Sequence, residues 1–186
     1  MSELDREKWD SRYSQDSAPE EPSRLLLELA DYLPNSGRAL DLAGGGGRHA
    51  IWLAKRGLHV TLADISKVGL NLAKRRADRA GVEIETLTVD LEADEFPSGA
   101  WDLVVSFHYL WRPLFPVFPQ VLAPRGILLF AQPTRKNLER HVKPPAQFLL
   151  EDGELPLLVN GLEVLHYEEG WLSEDRHEAV VVCQRQ

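Results

Sequence analysis

LDLAGGGGRHAIWLAKRG, residues 40–57, is the segment that decides the predicted fold of this chain. Four consecutive glycines separate a short apolar run from a stretch with the composition of a helix. Glycine inside a helix or strand costs about 0.5–1 kcal/mol relative to alanine, so a run of glycines predicts a turn. We therefore predict a strand, a glycine turn and a helix in succession, with Gly57 placed to end the helix in a left-handed conformation.

The same alternation of strand and helix continues toward the C-terminus. Ser66 is a predicted N-cap for a second helix that stops before Gly81. Five strands that alternate with helices predict a mostly parallel sheet covered on both faces. The last two strands are joined by a short turn and must be antiparallel. The predicted strands span residues 39–43, 59–65, 84–90, 101–107, 126–134, 162–171 and 178–184.

Residues 1–37 form a predicted helical segment that precedes the core of residues 38–186, and we expect the chain to be one domain. A first helix over residues 3–13 carries Trp9 and Tyr13 on one face, either as a lid over a cofactor or as a docked terminal helix. A second, amphipathic helix is predicted over residues 24–33, and a short third one over 116–122.

Composition and charge exclude several classes of protein. The chain has 186 residues, of which 44% are hydrophobic and 27% charged, as in ordinary globular proteins. Its net charge of -8 disfavours sequence-independent binding to nucleic acid. Cys183 is its one cysteine, which excludes an internal disulfide and a cysteine-based zinc site, and we expect no metal. The charged N-terminus and the lack of a long apolar stretch predict a soluble cytoplasmic protein without a membrane span.

The glycine turn has the pattern of a nucleotide-binding loop. Gly45, Gly47 and Ala50 fit G-x-G-x-x-A, and Asp64 follows Gly45 by 19 residues at the end of the second predicted strand. In an open α/β sheet, ligands bind beyond the carboxyl ends of the strands, where an aspartate can accept from two ribose hydroxyls. The pattern therefore predicts a cofactor that contains adenosine.

Asp41 selects among such cofactors. It lies in the first predicted strand, where a carboxylate would repel a pyrophosphate but attract an α-ammonium group. S-adenosylmethionine carries an ammonium group and no phosphate. Asp90 ends the third predicted strand, where its side chain or the amide of Leu91 can meet the adenine edge. We therefore predict S-adenosylmethionine as the cofactor.

In these motifs the sequence resembles the class I S-adenosylmethionine-dependent methyltransferases. The matching segments, in the family's order, are ALDLAGGGGRHAIWLAKRG (39–57), VTLADIS (60–66), LTVDLE (87–92), WDLVVSFHYL (101–110) and LAPRGILLFAQP (122–133). The resemblance implies an α/β fold, a Rossmann-like doubly wound seven-stranded sheet, mostly parallel, with an antiparallel C-terminal strand. Within the superfamily, the small size and the segments 144–155 and 161–171 look most like the tellurite-resistance and thiopurine-type branch.

The resemblance also implies a set of cofactor-binding residues. Ala43 stands where the family has its first loop glycine, and alanine can serve there if its φ is negative. Gly44 stands where a cysteine or small residue is usual. The implied cofactor-binding residues are Asp41, Ala43, Gly44, Gly45, Gly47, Arg48, Asp64, Ile65, Asp90, Leu91 and Phe107.

Candidate catalytic residues follow the fourth and fifth predicted strands. Methyl transfer from a sulfonium is an in-line displacement that depends mostly on positioning and desolvation and requires no metal. His108 and Arg112 follow the fourth strand and Arg135 the fifth, where the acceptor would bind. Cations at this edge of an acidic protein predict a small soft or anionic acceptor, a thiol or a chalcogen oxyanion. The competing interpretation is that Arg112 braces its loop and Arg135 is solvated surface.

Two alternatives to a small-molecule methyltransferase remain open from the sequence. One is an NAD(P)-dependent oxidoreductase of the Rossmann type, against which stand Asp41, the antiparallel closing strands and the lack of a Tyr-x-x-x-Lys pair. The other is a catalytically silent protein that binds S-adenosylmethionine as a sensor or scaffold.

Overall fold

One sheet organises the part of the chain that the computed structural model describes, residues 3–14, 18–172 and 175–186. Its seven strands lie in the order β3-β2-β1-β4-β5-β7-β6. The strands are Arg38–Leu42 (β1), His59–Asp64 (β2), Glu85–Thr88 (β3), Trp101–Phe107 (β4), Leu122–Pro133 (β5), Glu163–Trp171 (β6) and His177–Gln184 (β7).

The pairing of the strands confirms the predicted doubly wound topology. Neighbouring strands from β3 through β5 are parallel, and β7 is antiparallel to both β5 and β6. Strand order reverses between β1 and β4, which are paired from Ala39 with Leu103 to Leu42 with Ser106. In open α/β sheets the carboxyl ends of such a pair border the ligand cleft. The fold therefore places the glycine turn after β1 and His108 after β4 at the same cleft.

Helices and 3-10 turns cover the sheet. The α-helices are Glu3–Ser14 (α1), Arg24–Glu28 (α2), Arg48–Lys55 (α3), Lys67–Ala80 (α4), Phe118–Val121 (α5) and Leu155–Leu158 (α6). The 3-10 turns are Ala30–Tyr32, Arg112–Val117, Arg135–Glu139 and Ala146–Phe148. Both predicted ends of α4 are confirmed, since the Ser66 hydroxyl accepts from the Gly69 amide and Gly81 has a φ of 69°. Among the described helices, none has the length and apolar character needed to cross a membrane.

Two predicted helices are shorter than expected. The α-helix predicted over residues 24–33 ends at Glu28 and is followed by a 3-10 turn. Leu33 is extended ahead of Pro34, because a residue before proline avoids the helical region. The helix predicted over 116–122 is reduced to α5, because prolines within the preceding segment lack the N–H of a helical hydrogen bond.

Each face of the sheet has its own apolar core. One core joins β1, β2, β4, β5 and β7 to helices α2, α3 and α4, and the other joins the opposite face to α5 and α6. In the second core, Phe118 is fully buried and meets Phe115 edge-on at 5.6 Å between ring centroids. Trp101 is 2% exposed in the same core, which confirms that it is a packing residue.

Removing the ring of Phe118 should destabilise the fold strongly. Phe118→Ala leaves a cavity in the core beneath β4 and β5, and we expect the free energy of unfolding to fall by about 3–5 kcal/mol. Leu157→Ala, at a side chain that is 78% exposed, should change it by less than about 0.5 kcal/mol. Urea unfolding followed by circular dichroism measures both. Similar effects of the two substitutions would contradict this core.

Candidate functional site

The glycine turn between β1 and α3 has no room for side chains. Gly45 and Gly47 have φ values of 54° and 78°, a region that L side chains rarely adopt. A Cβ atom at Gly44 would overlap the side chains of Leu62 and Asp41. A side chain at Gly44 would require these two side chains to shift, so glycine is the residue that the turn accommodates without rearrangement.

Ala43 departs from the expected conformation. Its φ is +52°, so the condition of a negative φ is not met. A left-handed conformation brings Cβ close to the following carbonyl oxygen and costs an L residue about 1–2 kcal/mol. Ala43 therefore strains the turn at the position where the resembling family has glycine.

Asp41 is buried with one oxygen unpartnered. Its side chain is 1% exposed, and Oδ2 accepts a hydrogen bond of 3.1 Å from the Ala50 amide at the start of α3. Among the described residues, Oδ1 has no hydrogen-bond partner. Burial raises the pKa of Asp41 to about 7, and the nearby charge of Asp64 adds to this shift. A buried acceptor without a donor is the arrangement that an ammonium group would complete.

Asp64 holds the glycine turn to the second strand. Its Oδ2 accepts from the Gly45 amide at 2.8 Å, and its Oδ1 accepts from the Ser66 amide, also at 2.8 Å. The side chain is 6% exposed, and burial raises its pKa. Each carboxylate oxygen has two lone pairs, so Asp64 retains capacity to accept from ribose hydroxyls. Contact with a ribose stays a prediction.

Helix α1 lies directly on the glycine turn, which confirms a docked helix. The Ser66 hydroxyl donates to Asp10 Oδ1 at 2.5 Å, and the ring of Tyr13 covers Gly45 and Gly69 so closely that a Cβ there would overlap it. Burial and the charge of Asp64 raise the pKa of Tyr13. Asp10 was not predicted as a site residue, because nothing in an exposed, charged helix distinguishes one acid before the fold is known.

An open cleft lies at the carboxyl ends of β2 and β3, beside α1. It has a volume of about 360 Å³, and its lining residues are Glu3, Arg6, Ile65, Lys67, Thr88, Val89, Asp90 and Asp94. Ile65 and Asp90, both predicted for the cofactor, therefore share one cleft, and Leu91 is buried next to it in sequence. Asp90 Oδ1 accepts from the Glu92 amide at 2.9 Å.

Two further predicted cofactor residues lie at the start of α3 and the end of β4. Arg48 is the first residue of α3 and Phe107 the last of β4. The ring of Phe107 is 4.4 Å from that of His49, which burial keeps neutral by lowering its pKa. His49 accepts from the Ser23 amide and was not predicted.

The predicted catalytic residues are each paired with a carboxylate. His108 Nε2 lies 2.6 Å from Oε1 of Glu178 on β7. Arg112 contacts Glu154 through two nitrogens, at 2.6 and 2.8 Å. Arg135 Nε lies 2.6 Å from Glu151. Both arginines are thus paired with the loop before α6, and of these three residues only His108 is paired with a strand. The roles of all three toward an acceptor stay predictions.

Glu178 is the partner that the sequence analysis missed. It is 1% exposed in a strand whose next five residues are all fully buried and apolar. The sequence feature that could have identified it is a single acid directly before the apolar run AVVVC. The sequence analysis assigned no role to this residue.

Part of this sequence is similar to proteins named as methyltransferases. Residues 39–126 match the family described as "Methyltransferase domain". The Thermus thermophilus protein named demethylmenaquinone methyltransferase is 36% identical over 99 residues, which are 50% of this chain and 45% of that protein. The Bacillus subtilis protein named putative methyltransferase YqeM is 36% identical over 107 residues, 53% of this chain and 43% of that one. The chain thus spans less than half the length of these relatives.

Solved structures show the same fold. TehB from Haemophilus influenzae superposes with a TM-score of 0.76 at 18% identity, over 96% of this chain and 67% of that one. A SAM-dependent methyltransferase from Aquifex aeolicus gives 0.72 at 17% identity, over 95% and 98%. Together with the strand order and the glycine turn, these structures show that the chain has the fold of the class I S-adenosylmethionine-dependent methyltransferases, and residues 39–126 are similar to a methyltransferase domain.

The match to a methyltransferase domain supports S-adenosylmethionine as the cofactor over a nicotinamide. The residues fit S-adenosylmethionine in two respects. The glycine turn has no side chains of its own, and its Gly45 is covered by the ring of Tyr13. Asp41 Oδ1 has no hydrogen-bond partner among the described residues and can accept from an ammonium group.

Replacing Ala43 by glycine should stabilise the protein. Ala43→Gly removes the left-handed strain, and we expect the free energy of unfolding to rise by about 1 kcal/mol. The same substitution at Ala77, within α4, should lower it by about 1 kcal/mol or more. Urea unfolding of both variants measures the difference, and a destabilised Ala43→Gly would contradict the strained conformation.

The stability of the cofactor-free protein should depend on pH through Asp41. Its pKa is about 7 in the fold against 3.8 ordinarily, so between these values the unfolded chain has released a proton that the native chain still holds. The free energy of unfolding should therefore fall as pH rises from 4 to 7, by about 1.4 kcal/mol per pH unit.

Asp41→Asn does not titrate and serves as the comparison. Wild type should lose stability relative to this variant across that pH window, as measured by urea unfolding at four pH values. Asp31→Asn, at an exposed position, should follow wild type. Parallel curves for wild type and Asp41→Asn would show that the Asp41 pKa is ordinary.

Proposed function

We propose that the chain transfers a methyl group from S-adenosylmethionine to a small soft nucleophile, a thiol or a chalcogen oxyanion. The observation that carries the proposal is the buried carboxylate of Asp41, with an unpartnered oxygen beside the glycine turn. Such a group binds a cation and repels a phosphate. The net charge of -8 also disfavours nucleic acid as the substrate.

Residues at the carboxyl ends of the strands each bind a different part of the cofactor. Bound S-adenosylmethionine supplies an electrophilic methyl group on a sulfonium sulfur. Asp41 accepts from the ammonium group, Asp64 from the ribose hydroxyls, and Asp90 or the Leu91 amide meets the adenine edge. Phe107 and His49 add a ring pair at the end of β4 that excludes water from the transfer.

The ion pairs on the acceptor side favour a thiol over an oxyanion. Arg112 is bound in a two-pronged contact to Glu154, which holds the pKa of that carboxyl below its usual range. Arg135 is likewise bound to Glu151. An oxyanion would have to displace these carboxylates, whereas a neutral thiol would not. A thiol is therefore the acceptor that we place first.

A catalytically silent protein that binds S-adenosylmethionine is the second candidate, because arginines that are already paired with carboxylates need not bind an acceptor. A panel of acceptors with radiolabelled S-adenosylmethionine decides between the two. It contains alkyl and aromatic thiols, selenite, tellurite, small amines, catechols, RNA and a protein lysate. Label in thiols or chalcogen oxyanions supports the proposal. Label in RNA or protein alone overturns the acceptor class, and cofactor binding without any label supports the silent protein.

Asp64→Ala should weaken cofactor binding at least tenfold. Hydrogen bonds to a charged group contribute about 1.5–3 kcal/mol each, and the substitution removes the acceptor of the ribose hydroxyls. Calorimetry with S-adenosylmethionine and its demethylated product measures the effect, and thermal melting verifies that the variant folds. Asp78→Ala, on the exposed side of α4, should bind as wild type does. An Asp64→Ala affinity within threefold of wild type would refute the assigned contact.

A further inference from the structure

Glu178 is a carboxylate in a strand interior that is otherwise apolar. It is 1% exposed, and Val180 and Val182, which share its face of β7, are fully buried. Burying an unpaired carboxylate costs several kcal/mol, so the side chain requires a partner. That partner is His108, whose Nε2 lies 2.6 Å from Oε1 of Glu178. The pair joins the end of β4 to the start of β7 across β5.

His108 has a strained backbone at the cleft. Its φ is +61°, in the left-handed region that residues other than glycine rarely adopt. Its amide donates to the Ala131 carbonyl at 2.9 Å, which keeps the residue registered against β5. Strain of this kind persists where the surrounding structure imposes it, and it is concentrated at functional sites.

The pairing determines which nitrogen of His108 is free to accept a proton. An ionised glutamate only accepts hydrogen bonds, so Nε2 carries the proton and donates to Glu178. The other nitrogen, Nδ1, then holds a lone pair, and no hydrogen bond to it exists among residues 3–14, 18–172 and 175–186. The side chain is 30% exposed, so a small molecule at the carboxyl edge of the sheet can reach it.

We propose that His108 is the general base of the methyl transfer and that Glu178 is the positioning residue that orients it. The inference rests on the proposed function and narrows it. The acceptor is a thiol that is protonated at neutral pH, because an oxyanion that is already ionised has no proton for Nδ1 to remove.

The step is balanced by one proton transfer and one displacement. The acceptor loses its S–H proton to Nδ1 of His108 and forms a bond from sulfur to the methyl carbon. The bond between that carbon and the sulfonium sulfur breaks, and its electron pair stays on the sulfonium sulfur. The resulting imidazolium is stabilised by the charge of Glu178 and returns its proton to solvent.

The neighbouring titratable groups are compatible with this role. Glu178 faces His108 from β7, and His49 faces it from α3, with Arg48 next to His49 in sequence. Burial lowers the pKa of His49, so this second histidine stays neutral and does not compete as a cation. His177, the residue before Glu178, is engaged with Thr134 at 2.7 Å.

Two thiols of different acidity test the proposal. 4-Nitrothiophenol is ionised at neutral pH, and 2-phenylethanethiol is protonated. In Glu178→Gln, which keeps the size of the side chain and removes its charge, kcat/KM for 2-phenylethanethiol should fall about 100-fold. With 4-nitrothiophenol it should stay within threefold of wild type. His108→Asn should behave in the same way, since asparagine tolerates a left-handed φ. Affinity for S-adenosylmethionine should not change in either variant.

His166→Gln is the matched control, because it removes another histidine that lies near a glutamate, 3.8 Å from Glu168 on β6. It should leave both rates unchanged. An equal loss of kcat/KM for both thiols in His108→Asn, or no loss for either thiol, would overturn the role of His108 as general base. The His108→Asn variant gives this answer even if Glu178→Gln fails to fold. Wild type that binds the cofactor but methylates neither thiol would instead overturn the proposed function.

Discussion

The carboxylate of Asp64 is the contact on which the site depends. By accepting from the amides of Gly45 and Ser66, it ties the turn after β1 to the turn after β2. Both turns open a helix, so one buried side chain sets where α3 and α4 begin relative to the sheet. The Ser66 hydroxyl extends this contact to Asp10 of α1. Three helices and two strands are thereby aligned around a single acid.

Several energetically unfavourable features lie around that contact. Asp41 and Asp64 are carboxylates with raised pKa values, and Ala43 and His108 have left-handed backbones. Each lies at the carboxyl edge of the sheet, beside β1, β2 or β4. Elsewhere the strands are packed with Leu, Val and Phe in two continuous cores. Those cores stabilise a fold that carries poorly solvated acids at this edge of the sheet.

Charge on the acceptor side is arranged differently. Arg112 and Arg135 are neutralised by Glu154 and Glu151, so that edge presents ion pairs rather than an open cationic surface. His108 instead faces a carboxylate from within the sheet. The two arginine pairs connect loop segments to one another, whereas the pair of His108 with Glu178 fixes a ring against the sheet. Because both arginines are paired with carboxylates, the number of cations in the sequence is larger than the number of cations that are free of an ion pair at this edge.

The sequence by itself determined the topology and favoured S-adenosylmethionine as the cofactor. Short apolar runs, the glycine turn, the cap at Ser66 and the spacing of Asp41, Asp64 and Asp90 are local features, and local chemistry suffices to interpret them. Two helices are shorter than the sequence predicts. Only the tertiary structure decided the sign of φ at Ala43, the partners of the arginines, the docking of Tyr13 and the pairing of His108 with Glu178. These depend on contacts between segments as far as 70 residues apart, and burial and charge pairing across such distances exist only once the sheet has formed.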